Sequence, residues 1–182
     1  MKYAGFFRRL VAFTVDLVVL VPILGAMFWS VANSRTTAIF LYVPLLFLMM
    51  FYRVYFIGRW GQTVGKMAMG VKVVQVNGEV AGFARATYRE GVNIVITVVS
   101  GSLLFLAMLS VSSAEFEALK FMDKFLRLEA AIPPWGNKFS AISNWWNLPD
   151  ALVLLFNAKR RAVHDFIAGT VVIHVDKSPN VV

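Results

Sequence analysis

LVAFTVDLVVLVPILGAMFW, residues 10–29, is a run of twenty residues in which Asp16 is the only charged side chain. About 20 mostly apolar residues make a helix long enough to cross the roughly 30 Å hydrocarbon core of a bilayer. A secretory signal peptide is the alternative, but the run is too long for the usual apolar core of one and it contains a carboxylate. We therefore expect residues 10–30 to span a membrane.

The composition of the whole chain agrees with a membrane protein. Hydrophobic residues make up 59% of the 182 positions and charged residues 15%, against about 45–50% and about 25% in soluble domains. A disordered chain is excluded, because disorder requires few apolar residues. The absence of cysteine excludes disulfides, thiolate catalysis and cysteine-based metal centres. We expect no cofactor and no metal site.

Three further stretches resemble membrane spans, at about residues 36–57, 91–113 and 141–160. The last is interrupted by Asn144, Asn147 and Pro149, so its helix is expected to break near Pro149. The sequence thus predicts an all-α membrane protein with about four transmembrane helices. We expect residues 1–182 to form a single membrane domain.

Basic residues indicate how the spans are oriented. With four spans, residues 1–9, 53–90 and 159–182 share one side, and they carry 13 of the 18 lysines and arginines. Short loops rich in lysine and arginine stay in the cytosol, so we expect a multi-pass protein with both termini cytosolic. Because these residues lie at span ends, the net charge of +8 does not predict nucleic-acid binding.

A small β structure is expected on the cytosolic side. Asn77-Gly78 is a strong hairpin signal, since both central residues of a type I′ turn need a positive φ. We expect strands at residues 69–76 and 79–83. A third strand at residues 170–175 is expected to join them in a three-stranded sheet, because two strands alone are marginally stable.

The opposite side of the membrane carries an outer segment, about residues 115–140, with an amphipathic helix over residues 115–129. The spacing predicts a polar stripe of Glu117, Lys120, Lys124 and Arg127. Such a helix either lies in the headgroup region or caps the bundle.

Asp16 is the most unusual residue, because it lies roughly 9 Å inside the first span. An ionised carboxylate at the centre of a span costs about 2.5–3.5 kcal/mol, so it must face protein, water or a positive partner. Arg9 shares its helix face, two turns earlier. A structural hydrogen bond and a titratable group on an ion or proton path both remain open.

Asp165 is the second acidic candidate, and it lies at the cytosolic boundary. Arg9 is expected at the same depth, so the two residues can pair between helices. Neighbours in a helix do not face each other, so we expect His164 to be a hydrogen-bonding residue rather than a catalytic base. Asn93, in the third span, is expected to bond to backbone or to a neighbouring helix.

Three segments together suggest a family. They are FFRRLVAFTVD at residues 6–16, GQTVGKMAMGVKVV at residues 61–74 and RRAVHDFIAGTVVI at residues 160–173. This combination resembles the RDD family of small bacterial membrane proteins, named for one arginine and two aspartates. The resemblance implies that these three residues are Arg9, Asp16 and Asp165. It also matches Gln62, Thr63, Gly65 and Lys66 to the family's glycine-lysine element, treats the outer segment as an insertion, and implies a bacterial inner membrane.

Two functions follow from these observations. The first, implied by the resemblance, is a monovalent-cation (for example sodium) and proton antiporter, or another small-solute transporter, that uses Asp16 with Arg9 and Asp165 and requires a homo-oligomer. The second is a non-transporting scaffold or accessory subunit that docks a partner through its cytosolic hairpin. The lack of a zinc-protease motif or a Ser/His pair and the unequal depth of the two aspartates disfavour a protease, so we do not expect an enzyme.

Overall fold

The computed structural model describes residues 2–175 and is mostly helical. In chain order the helices are α1 (Phe6–Asn33), α2 (Arg35–Trp60), α3 (Val64–Ala68), α4 (Gly82–Ser110), α5 (Ser113–Ala118), α6 (Phe121–Ala131), α7 (Pro134–Asn144), α8 (Asn147–Phe156) and α9 (Val163–Ile167). The strands are β1 (Val71–Gln75), between α3 and α4, and β2 (Thr170–His174), after α9.

Three of the expected spans are confirmed as long apolar helices. These are α1, α2 and α4, whose most apolar windows have mean hydropathies of 2.4, 1.8 and 2.3. No more than 22% of any of these windows is buried within the protein. Helices that expose so much apolar surface need a bilayer around them.

The fourth expected span is not confirmed. Residues 141–160 hold the end of α7, a turn at Trp145 and Trp146, the ten residues of α8 and a non-helical segment. Ten residues of helix extend only roughly 15 Å, about half of the hydrocarbon core. The break falls at the two tryptophans rather than near Pro149, because Pro149 lies in the first turn of α8, where proline is tolerated.

The chain divides into two compact units. The first contains the described parts of residues 1–20, 51–92 and 147–182, and the second contains residues 21–50 and 93–146.

In the first unit, β1 and β2 form an antiparallel pair, with Val73 opposite Val172. These two valines are fully buried, together with Ala12 of α1, Ile57 of α2 and Ala86 of α4. The sheet therefore packs on the starts of α1 and α4 and on the end of α2.

The expected three-stranded hairpin sheet is wrong in its pairing. The chain turns at Asn77-Gly78, but the N–H of Gly78 donates to the carbonyl oxygen of Gln75 at 2.9 Å, and Asn77 lacks the positive φ that the expected type I′ turn requires. The returning chain makes an isolated bridge between Val74 and Val80. The returning strand cannot reach residue 83, because α4 already begins at Gly82. The strand expected at residues 170–175 is confirmed as β2, and it is the partner of β1.

In the second unit, the expected amphipathic helix is two helices, α5 and α6, which meet at Leu119 and Lys120. Lys124 is not on an exposed polar stripe: it is only 5% exposed. Its Nζ donates to the carbonyl oxygens of Val31 (3.3 Å) and Ala32 (2.9 Å) near the end of α1. Lys124 therefore points inward, where its ammonium satisfies carbonyl oxygens at the end of α1 that have no partner within that helix.

Candidate functional site

The charged residues singled out from the sequence fall into two separate groups in the first unit. We call them the Asp165 network (Arg9, Arg89, Asp165 and Thr170) and the Asp16 site (Asp16, Tyr52, Thr63 and Gly65). The sequence groups Arg9, Asp16 and Asp165 as candidate transport residues, and that role stays a prediction. Arg9 and Asp165 meet, but the described partners of Asp16 include no basic residue.

The Asp165 network is centred on a carboxylate with no exposed surface. Arg9 Nη1 lies 2.6 Å from Asp165 Oδ2, and this contact is the ion pair expected from the sequence. Arg89 Nη1 forms a second ion pair with Oδ1. The hydroxyl of Thr170 donates to Oδ1 at 3.3 Å, and the backbone N–H of Ala162 donates to Oδ2 at 3.0 Å. Each carboxylate oxygen thus accepts two hydrogen bonds, which leaves no usual acceptor position free.

These contacts join distant parts of the chain. Arg9 comes from the start of α1, Arg89 from α4, Asp165 from α9 and Thr170 from β2. Burial alone works to raise the pKa of Asp165, but the guanidiniums of Arg89 and Arg9 hold that pKa far below its usual value. Asp165 is therefore ionised at every physiological pH.

His164 extends the network to α8. Arg89 Nη2 lies 2.7 Å from His164 Nε2, and His164 Nδ1 lies 2.8 Å from Asp150 Oδ2. A guanidinium nitrogen can only donate, so Nε2 accepts and Nδ1 carries the proton donated to Asp150. His164 is thus a hydrogen-bonding residue in this structure.

The Asp16 site is built on the loop between α2 and α3. Asp16 Oδ1 accepts from Tyr52 Oη at 2.8 Å and from the backbone N–H of Gly65 at 2.7 Å, and Oδ2 accepts from Thr63 Oγ1 at 2.6 Å. Asp16 is 8% exposed. Neutral donors from the protein thus satisfy this carboxylate, one of the environments that the sequence analysis leaves open for Asp16.

Gly65 is required for this close approach. A Cβ at Gly65 would collide with the carbonyl oxygen of Ala12 and would lie 2.9 Å from the carboxyl carbon of Asp16. Only a residue without a side chain lets the backbone N–H of α3 reach the carboxylate.

Lys66 is one hydroxyl away from Asp16. Its Nζ lies 3.4 Å from Thr63 Oγ1, the same oxygen that donates to Asp16. Burial and the nearby guanidiniums of Arg89 and Arg53 lower the pKa of Lys66, Asp16 and Glu90 work to raise it, and the net pKa is about 8. Lys66 is therefore the group in this region whose charge changes just above neutral pH.

The other predicted supporting residues have different positions. Gln62 donates from Nε2 to the carbonyl oxygen of Val71, 2.9 Å away, so it ties the α2–α3 loop to the start of β1. Asn93 is half-buried and belongs to the second unit. Its supporting role stays a prediction.

Sequence reasoning missed Arg89, Tyr52 and Thr170. A signal for Arg89 was present, because Arg85, Arg89 and Asn93 are spaced by four at the start of the third span and so share one helix face. Arg85 Nη1 in fact donates to the carbonyl oxygen of Ala168 at 3.1 Å. The tyrosine and the threonine carry no comparable signal, since each is ordinary in its segment.

The fold and these contacts define a helical membrane protein with buried arginine–aspartate pairing at the ends of its spans. The profile of the RDD family matches residues 3–169, and the chain belongs to that family. The chain matches no curated protein and no solved structure.

Proposed function

We propose that this protein is a non-transporting membrane scaffold. In it the Asp165 network is a static bracket, by which we mean a fixed set of contacts that holds α1, α4, α9 and β2 together. The observation that carries the proposal is the complete enclosure of Asp165, whose oxygens are occupied by donors from α1, α4, β2 and the turn before α9. A transport site must exchange its ligand with solvent, and this carboxylate offers no accessible surface. We further propose that the protein is not an enzyme.

The bracket also supports a topology with both ends of the chain on one side. Asp165 pairs with residues near the starts of α1 and α4, so it lies on the side where those spans begin. Because α4 is long enough to cross the bilayer, the chain has to return between residues 111 and 162. We propose that the interrupted region around α7 and α8 makes this return, and that the shared side is the cytosol of a bacterium.

The surface proposed for a partner is the turn between β1 and α4. Val76 and Val80 flank it and are 45% and 44% exposed, while β1 itself packs in the core. This exposed apolar pair, next to the β1–β2 sheet, is the contact that we propose for the partner. Purification of the Val76→Ser/Val80→Ser variant should then lose partners that the parent protein retains, with its abundance unchanged.

Comparison of two neighbouring arginines tests the bracket. We expect Arg9→Ala to lower abundance in the membrane severely, because the buried Asp165 loses one of its two cationic partners. Arg8→Ala is the matched control, since Arg8 is exposed and bonds only to His174 Nδ1 among the described residues. Equal abundance of the two variants would count against the bracket.

Exchange of a monovalent cation for a proton is the second candidate, and one observation favours it. The chain from Lys66 through Thr63 to Asp16 links a titrating ammonium to a carboxylate inside a span. In this mechanism the protein acts as a homo-oligomer. Vesicles with a pH-sensitive dye test it: cation-driven proton movement that is abolished in both Asp16→Asn and Lys66→Met would establish exchange, and its absence from the unaltered protein supports the scaffold.

A further inference from the structure

A groove in the first unit has neither Asp16 nor Asp165 in its lining. It has a volume of about 590 Å³ and is open on one side, within the range of roughly 300–1,000 Å³ typical of sites for one small molecule. Phe6 and Phe7, at the start of α1, form one wall. The last turn of α8 and the loop that follows it form the other, with Leu155 and Phe156 among the apolar members.

The groove has a cationic end at Arg160. Its guanidinium lies against Gly5, where an added Cβ would collide with Nη1. Within the described chain, neither Arg160 nor the preceding Lys159 forms an ion pair through its side chain. Both side chains are exposed, so Arg160 in the groove lining and its chain neighbour Lys159 are two positive charges without an acidic partner among the described residues.

The backbone holds this cationic end in place. Arg160 has a φ of 49°, a conformation uncommon outside glycine. Its N–H donates to the carbonyl oxygen of Asn157 at 2.8 Å, and its own carbonyl oxygen accepts from Arg9 Nη2 at 2.5 Å. The loop is therefore tied to the start of α1, the same element that supplies the apolar wall.

We propose that this groove binds an anionic phospholipid, with the phosphodiester on Arg160 and Lys159 and an acyl chain along the apolar walls. A lipid fits both halves of the site, whereas a free phosphate would leave the apolar half unused. The walls are open to such a ligand, since Phe7 is 79% and Phe156 is 88% exposed. The groove also lies at the start of a span, where headgroups meet the hydrocarbon core. This proposal is independent of the scaffold function.

The test measures lipid retention by the full-length protein in a neutral detergent. We expect native mass spectrometry to show one phosphatidylglycerol bound about tenfold or more tightly than phosphatidylcholine. Lys159→Gln/Arg160→Gln should abolish that preference. Lys120→Gln/Lys138→Gln is the matched control, because it removes the same charge from exposed positions in the second unit and should retain the preference.

A second variant tests the apolar half without changing charge. Ala158 lines the groove and is exposed, so Ala158→Trp should fill the space and weaken phosphatidylglycerol binding. Glycerol 3-phosphate, which has the headgroup chemistry without acyl chains, should not compete. The proposal is overturned if both lipids bind equally, if the two charge-removing variants behave alike, or if glycerol 3-phosphate competes as well as the lipid.

Discussion

Two aspartates of the first unit are held in opposite ways. Asp165 faces two guanidiniums, whereas Asp16 faces two hydroxyls and a backbone N–H. Removing the charge of Asp165 leaves buried cations without a counter-charge, while removing that of Asp16 leaves only neutral donors. The same substitution should therefore have very different costs at the two positions.

We expect Asp165→Asn to lower the free energy of unfolding by about 3–5 kcal/mol, as for other broken buried ion pairs. Asp16→Asn should cost only about 1–3 kcal/mol, the penalty of imperfectly paired neutral groups. Denaturant unfolding in detergent measures both. Similar losses in the two variants would contradict the division into two sites.

Glycine 65 gives a steric test of the Asp16 site. Gly65→Ala should be strongly destabilising, because its Cβ meets the Ala12 carbonyl and the Asp16 carboxyl group. Gly91→Ala is the control, since a Cβ there meets nothing within 4 Å and alanine is favoured in a helix by roughly 0.5–1 kcal/mol. Thermal unfolding midpoints of the two variants should move in opposite directions.

Lysine 66 predicts a pH dependence. Its pKa is about 8 in the folded protein against the ordinary 10.5, so between these values the unfolded chain binds more protons and stability rises with pH. Arg89 and Arg53 disfavour its charge, while Asp16 and Glu90 favour it. We expect the free energy of unfolding to rise from about pH 8 to 10.5.

The corresponding variant isolates this effect. Lys66→Met should lack the rise between pH 8 and 10.5, because methionine does not titrate, and should be the more stable form at neutral pH. Lys120→Met, at an exposed position, should keep the profile of the parent protein. An unchanged profile in Lys66→Met would show that burial does not disfavour the lysine charge.

For single residues, the sequence predicted the Arg9–Asp165 contact, because residue counts indicate how deep each residue lies along its span. It did not predict that Asp16 bonds to neither Arg9 nor Asp165. Spacing along one helix says nothing about the loop that packs on it, and the donors to Asp16 come from Tyr52 and from the loop after α2.

Among the elements, long apolar helices were predictable and short ones were not. The three confirmed spans follow from hydropathy alone. The expected helix over residues 115–129 failed because periodicity places Lys124 on a polar stripe, whereas tertiary packing turns it towards the end of α1 and over the Phe116 ring, 4.9 Å from its centroid. The hairpin failed because α4 already begins at Gly82, so the chain after the turn is too short for a strand and makes an isolated bridge from Val80 to Val74.

A substitution tests whether Lys124 caps the C-terminal end of α1. We expect Lys124→Gln to lower the free energy of unfolding by about 1–3 kcal/mol, since two carbonyls near the end of α1 lose a charged donor. Lys120→Gln, four residues earlier and exposed, should be close to neutral. A comparable loss in both variants would show that Lys124 contributes only surface charge.

For the whole molecule, the decisive question is which side of the membrane each end occupies. The cysteine-free sequence permits single-cysteine reporters without background. Lys2→Cys and Lys159→Cys should react with an impermeant maleimide only after the cytosolic face is opened, and Lys138→Cys should react in intact cells. Labelling of Lys159→Cys from outside would contradict a return crossing between residues 111 and 162.

The sequence predicts from charge bias that both ends share one side, and this stays a prediction. Within the described chain, no run of residues after α4 is long and apolar enough to form an uninterrupted helical span. The interrupting tryptophans and asparagines at residues 144–147 divide the region into shorter helices. Hydropathy cannot describe a crossing made from pieces, because it scores each window as a continuous helix.

The residues of the Asp165 network are synthesised far apart in time, which has a consequence for biogenesis. Arg9 and Arg89 enter the translocation machinery long before Asp165 is synthesised, and until then both guanidiniums lack the carboxylate that neutralises them. A nascent chain stopped before residue 165 thus carries two cations without their counter-charge. We expect such a chain to be degraded faster than one that has reached Asp165.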